Sequence, residues 1–221
     1  MLVMLRPGLA YCVTEGQAVF LDLTADRYFA LSPAKTAAFS DCLIEDHGPE
    51  AKPALRYFID AGILVTDVAD ATGLALPNIQ LPARDAPLLP NVSVRRQTLV
   101  RAMAILLATR FKQIYRPKAL FAFGLETRWW KLGANASGRG RIGDLLEAMS
   151  YAERLLPLRL NCVSRTRALK YFLACYGVDT DMIVGVRLHP FSAHCWLQVD
   201  DIVLNDTLEG IAPYTVIRGI K

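Results

Sequence analysis

Leu160-Asn161-Cys162-Val163-Ser164-Arg165-Thr166-Arg167-Ala168-Leu169 places a cysteine at the point where an apolar, helix-like run begins. That position suits a reactive thiol. The first turn of a helix carries partial positive charge and unpaired backbone N–H groups, which favour thiolate over thiol and hold a developing oxyanion. Helical spacing puts Cys162, Thr166, Leu169 and Leu173 on one stripe and Ala168, Phe172 and Cys175 on a flanking one, and Gly177 ends the run. From residue types alone, a packed cysteine is the commoner state of a free thiol. The decision therefore rests on what the rest of the chain brings to Cys162.

A thiol nucleophile needs a base and a third group that orients the base. The chain has three histidines, His47, His189 and His194. His47 beside Gly48 and His189 before Pro190 read as surface and loop residues. His194 lies on an expected strand, Ser192 to Val199, whose alternation sends His194, Trp196, Gln198 and Asp200 to one face and Cys195, Leu197 and Val199 to the other. Cys195 thus points away from the imidazole beside it, which disfavours it as the nucleophile. Further strands are expected at Met182 to Leu188 and at Ile202 to Asp206, where Asp206 is available to orient His194. A two-residue turn at Asp200-Asp201 would set Thr207 opposite His194 and turn Asp206 to the other face, so the triad requires an odd-length turn or a bulge.

Upstream, Ala10 to Val13, Ala18 to Leu23 and Tyr28 to Leu31 read as a three-stranded meander punctuated by Glu15-Gly16-Gln17 and Thr24-Ala25-Asp26-Arg27. Ser32 and Pro33 open a helix as N-cap and first residue, running to about Glu45. A second helix runs from about Glu50 to Gly62, and Ile63 to Thr66 is extended. Pro77, Pro82, Pro87 and Pro90 then mark a linker, expected over residues 77–91 between domains 1–76 and 92–221. A long helix from Ser93 to about Tyr115, an aromatic and glycine-rich stretch over 118–143 containing Trp129 and Trp130, and a helix capped by Asp144 follow. The second domain is helical first and antiparallel later, an α+β arrangement.

Charge changes sign across the linker. Residues 1–90 carry 6 Lys and Arg against 11 Asp and Glu, whereas 91–221 carry 19 against 10. An acidic first domain argues against a winged helix that binds nucleic acid, because phosphate binding is driven by Lys and Arg. Five widely spaced cysteines with no CxxC pair indicate neither a disulfide framework nor a zinc site. The most apolar run, Ala102 to Thr109, is bracketed by Arg101 and Arg110, and no secretory leader stands at Met1, so a cytoplasmic protein that does not span a membrane is expected. Arg159, Arg165 and Arg167 read as a solvated face, with precursor or partner binding as the alternative.

Cys162 at a helix start, followed by Ala193-His194-Cys195-Trp196-Leu197-Gln198-Val199 and Leu204-Asn205-Asp206 on successive strands, resembles the transglutaminase-like cysteine protease superfamily. More narrowly, the chain resembles the lasso peptide maturation B-proteins, which join such a papain-like protease to a leader-recognition domain of the PqqD-like, winged-helix type. Val19-Phe20-Leu21-Asp22-Leu23 with Asp26-Arg27-Tyr28-Phe29-Ala30-Leu31-Ser32 carries the N-terminal part of that likeness. The resemblance implies a leader peptidase. The first domain would take up the precursor's leader as an added strand along Tyr28, Phe29, Ala30 and Leu31, with Leu55, Phe58 and Ile59 as an apolar wall. Cys162 would attack at the leader–core junction, His194 would move the proton and Asp206 would orient His194. The chemistry needs no cofactor or metal, and the freed core would pass to a partner macrolactam synthetase that uses ATP. Acyl transfer to an amine and a non-catalytic leader-binding scaffold are the competing readings.

Overall fold

A computed structural model describes residues 3–43, 52–66, 79–87, 94–115 and 142–220. Two compact units emerge. One comprises the described residues of 1–78 together with 186–192 and 215–218; the other comprises those of 79–185, 193–214 and the residues beyond 218. The division at 78/79 lies beside the expected boundary, but short stretches of the second half belong with the first.

The first unit contains β1 (Val3–Leu5), β2 (Leu9–Thr14), β3 (Gln17–Asp22), β4 (Arg27–Ala30), α1 (Pro33–Asp41), α2 (Lys52–Asp60) and β5 (Leu64–Thr66). β2, β3 and β4 form the expected antiparallel meander, with Thr14 opposite Gln17 and Val19 opposite Ala30. The β2–β3 turn has Glu15 and Gly16 both at positive φ, the geometry that matches the twist of a two-residue hairpin. β1, absent from the sequence reading, pairs with β5 in a second small sheet. Ser32 caps α1 through Lys35 N, with Pro33 in the first turn as its fixed φ allows. α1 ends at Asp41 with Cys42 as its C-cap and a turn over 42–43, short of the expected Glu45; residues 44–45, His47, and Trp129 with Trp130 lie outside the described residues. Tyr11, Phe20, Phe39 and Phe58 meet edge-on or stacked at centroid distances of 5.3 to 5.8 Å and form the centre of this core.

Asp22 fastens the unit. Its Oδ2 accepts from Arg6 Nη2 at 2.8 Å, while Oδ1 accepts from Thr24 N, Thr24 Oγ1 and Ala25 N; Arg6 Nε also donates to Gly62 O. Burial pushes the Asp22 carboxyl upward, but these hydrogen bonds and the Arg6 charge outweigh it and hold the group at about 2.

The second unit contains β6 (Arg84–Asp85), α3 (Arg96–Tyr115), α4 (Ile142–Leu155), α5 (Cys162–Ala174), β7 (Asp181–Arg187), β8 (Ser192–Val199), β9 (Ile202–Val203), α6 (Leu208–Ile211) and β10 (Thr215–Ile220); parts of β7, β8 and β10 belong to the first unit. The strands form one sheet in the order β10-β7-β8-β9-β6. Its central residues, Met182, Val184, Leu197 and Val203, are buried, as is the face of α5 that carries Leu169, Phe172 and Leu173.

The described part of the expected linker, 79–87, is not free chain. β6 adds to the sheet edge parallel to β9, Arg84 forms a bidentate pair with Asp201, and Asp85 Oδ1 accepts from Leu208 N at 2.7 Å. Prolines at 82 and 87 bar a central strand, but a two-residue edge strand fits between them. β10 and α6 were likewise not anticipated. No helix among the described residues is long and apolar enough to cross a membrane.

Because folding holds Asp22 ionised to lower pH than in the unfolded chain, its contribution is complete above about pH 4 and is lost as pH falls toward 2. Asp22→Asn is expected to lower stability by about 2 kcal/mol at neutral pH and to flatten the acid limb of the stability curve, as read by urea denaturation at a series of pH values.

Candidate active site

Cys162 is the first residue of α5, as its sequence context suggests. Asn161 is the N-cap: its backbone is extended and its side chain accepts from Ser164 N at 2.8 Å. The entering loop is tied down by α3, since Arg110 and Gln113 donate to Arg159 O and Gln113 Oε1 accepts from Asn161 N. Cys162 is exposed, whereas Cys12, Cys42 and Cys195 are buried and Cys175 is half-buried. Burial pushes the Cys195 thiol far up, in keeping with its apolar-facing side of β8.

His194 stands on the opposite face of β8, half-buried. Its Nε2 lies 2.5 Å from Asp206 Oδ2, and the imidazole is hydrogen-bonded to Cys162, which leaves Nδ1 as the nitrogen that faces the thiol. The hydrogen bond to Cys162 is the largest influence on the ring and raises its pKa above the usual histidine value; burial opposes this, and the hydrogen bond and charge of Asp206 add to the rise. Asp206 Oδ1 accepts from Thr207 N at 2.7 Å, so both carboxylate oxygens are engaged. Cys162, His194 and Asp206 therefore meet, with the imidazole between thiol and carboxylate.

Two glycines make room for this arrangement. A Cβ on Gly210 would overlap Asp206 Oδ1. A Cβ on Gly185 of β7 would lie 2.8 Å from the Trp196 ring and 2.9 Å from Tyr214 Cβ. Those two aromatic rings flank His194, at centroid distances of 6.2 and 5.2 Å. Trp196 was placed on the face of His194 by alternation, but Tyr214 comes from the stretch before β10 and carried no sequence signal.

The hairpin meets the triad's requirement in an unanticipated way. Val199 pairs with Ile202 and Gln198 with Val203, so the turn is the two-residue Asp200-Asp201 loop, with Asp200 at positive φ. Continued pairing would set Thr207 opposite His194 and aim Asp206 away. Instead the ladder stops after Leu204, whose N–H still donates to Leu197 O at 2.9 Å. Leu197 N donates not to Leu204 but to Asn205 Oδ1 at 2.7 Å, and the chain bends over 204–206. The displaced register comes from that bend, not from a longer turn.

The other named residues fall elsewhere. His189 is exposed and 3.4 Å from Glu15. Arg165 pairs with Glu153, but Arg167 is buried with its Nε on Tyr171 Oη at 2.6 Å, which corrects its reading as part of a solvated face. Arg167 follows the buried Thr166 into the packed side of α5, where an aromatic hydroxyl and ring accept its guanidinium. Tyr28, Phe29 and Ala30 lie on β4, an edge of the meander, with Leu31 next to it; Leu55 and Phe58 are buried in the core and Ile59 packs partly against it. Among the described residues no group of three or more His, Cys, Asp or Glu side chains is arranged to hold a metal ion.

An exposed cysteine at a helix start thus faces a histidine on β8 and an aspartate in the bend that follows β9. The chain belongs to the transglutaminase-like superfamily, whose model matches residues 103–219. It is also similar to the microcin J25-processing protein McjB of Escherichia coli, with 37% identity over 81 residues. That match covers 37% of this chain and 37% of the relative, well short of two thirds of its length. No solved structure matches the chain.

Gly185→Ala is expected to cost about 2 kcal/mol through overlap with Trp196 and Tyr214, as an added core methyl without room typically does. Chemical denaturation measures it; an unchanged midpoint would show that the rings yield freely.

Proposed function

We propose that the protein is a leader peptidase of lasso peptide biosynthesis, a cysteine hydrolase that cuts the leader–core bond of a ribosomal precursor. The observation that carries this reading is the imidazole of His194 held between Cys162 and Asp206 in a chain similar to a microcin-processing protein. In this account Cys162 Sγ attacks the scissile carbonyl as its proton passes to His194, and the tetrahedral oxyanion rests on the Cys162 N–H at the start of α5. His194 gives the proton to the departing amine of the core, leaving a leader thioester on Cys162. Water then attacks the thioester, His194 takes its proton, and the leader acid and free thiol are restored. Asp206 keeps the imidazole in the tautomer and orientation that both steps need.

Residues 1–76 are proposed as the leader-recognition domain of the PqqD-like kind. β4 supports this by its place at the sheet edge. Leu31 N donates inward to Ala18 O, so by antiparallel alternation the main-chain groups of Ala30 point away from β3, to the side where an added strand would pair. Leu55 and Phe58 are occupied in the core, so the wall offered to such a strand is narrower than the sequence suggested. The released core would go to an ATP-using macrolactam synthetase, and the work would take place in the cytoplasm.

Incubating the full chain with a precursor encoded beside it, and following products by mass, tests the reading. Wild type is expected to give leader acid and free core, and Cys162→Ala is expected to lose at least about 100-fold in rate; equal cutting by both would overturn it. A product in which an added amine joins the leader carbonyl would instead assign the site to acyl transfer. Ala30→Pro removes one outward N–H and is expected to weaken leader binding about tenfold with the rate at saturation retained. Unchanged affinity in a calorimetric titration would remove β4 from the recognition site.

A further inference from the structure

We propose that Asn205 is a positioning residue for this site, its side-chain amide breaking the β8–β9 ladder so that Asp206 turns to His194 and anchoring that turn to the Cys162 helix through Thr166. The inference rests on the triad reading above and adds residues that the triad itself does not include.

Three directed hydrogen bonds carry it. Leu197 N donates to Asn205 Oδ1 at 2.7 Å, Asn205 Nδ2 donates to Thr166 Oγ1 at 3.0 Å, and Thr166 Oγ1 donates to Cys195 O at 2.9 Å. The chain of bonds begins and ends on β8, at the first and third residues after His194, and passes through α5 one helical turn from Cys162. It thereby ties all three elements that bear the thiol, the imidazole and the carboxylate. Thr166 is 1% exposed, so its hydroxyl has little access to water as a substitute partner.

The chemistry of position 205 is specific. It must accept from Leu197 and donate to Thr166 at once, on a side chain short enough to take the place of a main-chain carbonyl. Asparagine does both; aspartate lacks the donor, and serine is too short to span the two. Without that acceptor, Leu197 N–H would regain its partner by pairing with Leu204 O, and regular pairing would carry Asp206 to the face away from His194.

The test reads the titration of His194 directly, by the ring Cε1–H resonances of a full chain that holds three histidines. The groups about His194 are Cys162, Asp206, Trp196 and Tyr214, of which the first two set its charge balance. Asp206→Ala is expected to move the His194 midpoint to lower pH. Asn205→Ala is expected to move it in the same direction and nearly as far, and the double variant no further than Asp206→Ala alone. Alkylation of Cys162 by iodoacetamide, located by peptide mapping, is expected to slow by about tenfold or more in Asn205→Ala, as misplacement of a reacting pair does. Thr166→Val, close to isosteric, is expected to shift the midpoint part of the way, and Thr166→Ser to retain the wild-type value. This pair decides the matter if Asn205→Ala loses its fold. A folded Asn205→Ala with the wild-type midpoint and alkylation rate, or a Thr166→Val that leaves both at wild type, overturns the proposal while the triad stands. If Asp206→Ala and Cys162→Ala both leave the His194 midpoint in place, the triad reading itself fails.

Discussion

The bond between His194 Nε2 and Asp206 Oδ2, at 2.5 Å, is the constraint on which the rest of the second unit depends. With one nitrogen held by a carboxylate, the imidazole has a defined orientation, and its other nitrogen is presented to Cys162. Each neighbouring element serves that placement. Asn161 starts α5 one residue before the thiol, and Arg110 and Gln113 of α3 fix the loop that leads to it. β8 carries His194 on one face and buries Cys195 on the other, so the thiols of Cys162 and Cys195 have opposite environments. Gly210 and Gly185 leave the space that Asp206 and the flanking rings fill.

Much of this was legible in the sequence, for physical reasons that act locally. A helix start at Cys162 follows from the apolar, helix-like spacing after it. The facing of His194 and Cys195 follows from the two-residue period of a strand. The meander and Ser32-Pro33 were read from turn and cap chemistry, which acts over three or four residues. What escaped was set by long-range partners. Nothing in Ala83 to Ala86 announces a strand until Asp201 and Leu208 are beside it, because the anchors lie more than 100 residues away. Arg167 looked solvated since its partner hydroxyl, on Tyr171, is visible only once the helix is packed. Asn205 is the sharpest case: the need for an odd-length turn or a bulge was clear, but a side chain replacing a ladder carbonyl cannot be told from an ordinary turn asparagine by spacing alone.

The proposed function assigns recognition to the first unit and chemistry to the second. The first is built on an aromatic core and an Asp22 network, with β4 at one end of the β2-β3-β4 order among the described residues. The second belongs to the transglutaminase-like superfamily and holds the thiol. Under the proposed function, selection of the scissile bond falls to the first unit's recognition surface and not to the thiol.

Under the proposed function, Cys162 forms a covalent acyl-enzyme with the leader. It is tested most directly by acid quenching during turnover of the precursor, followed by intact-mass measurement and peptide mapping. The account predicts an adduct equal to the leader acyl group, confined to Cys162, labile to hydroxylamine and depleted by Asp206→Ala in step with the cleavage rate. Cleavage that proceeds with the adduct on another side chain, or with Cys162 mapped unmodified at every time under conditions that trap thioesters, would contradict it.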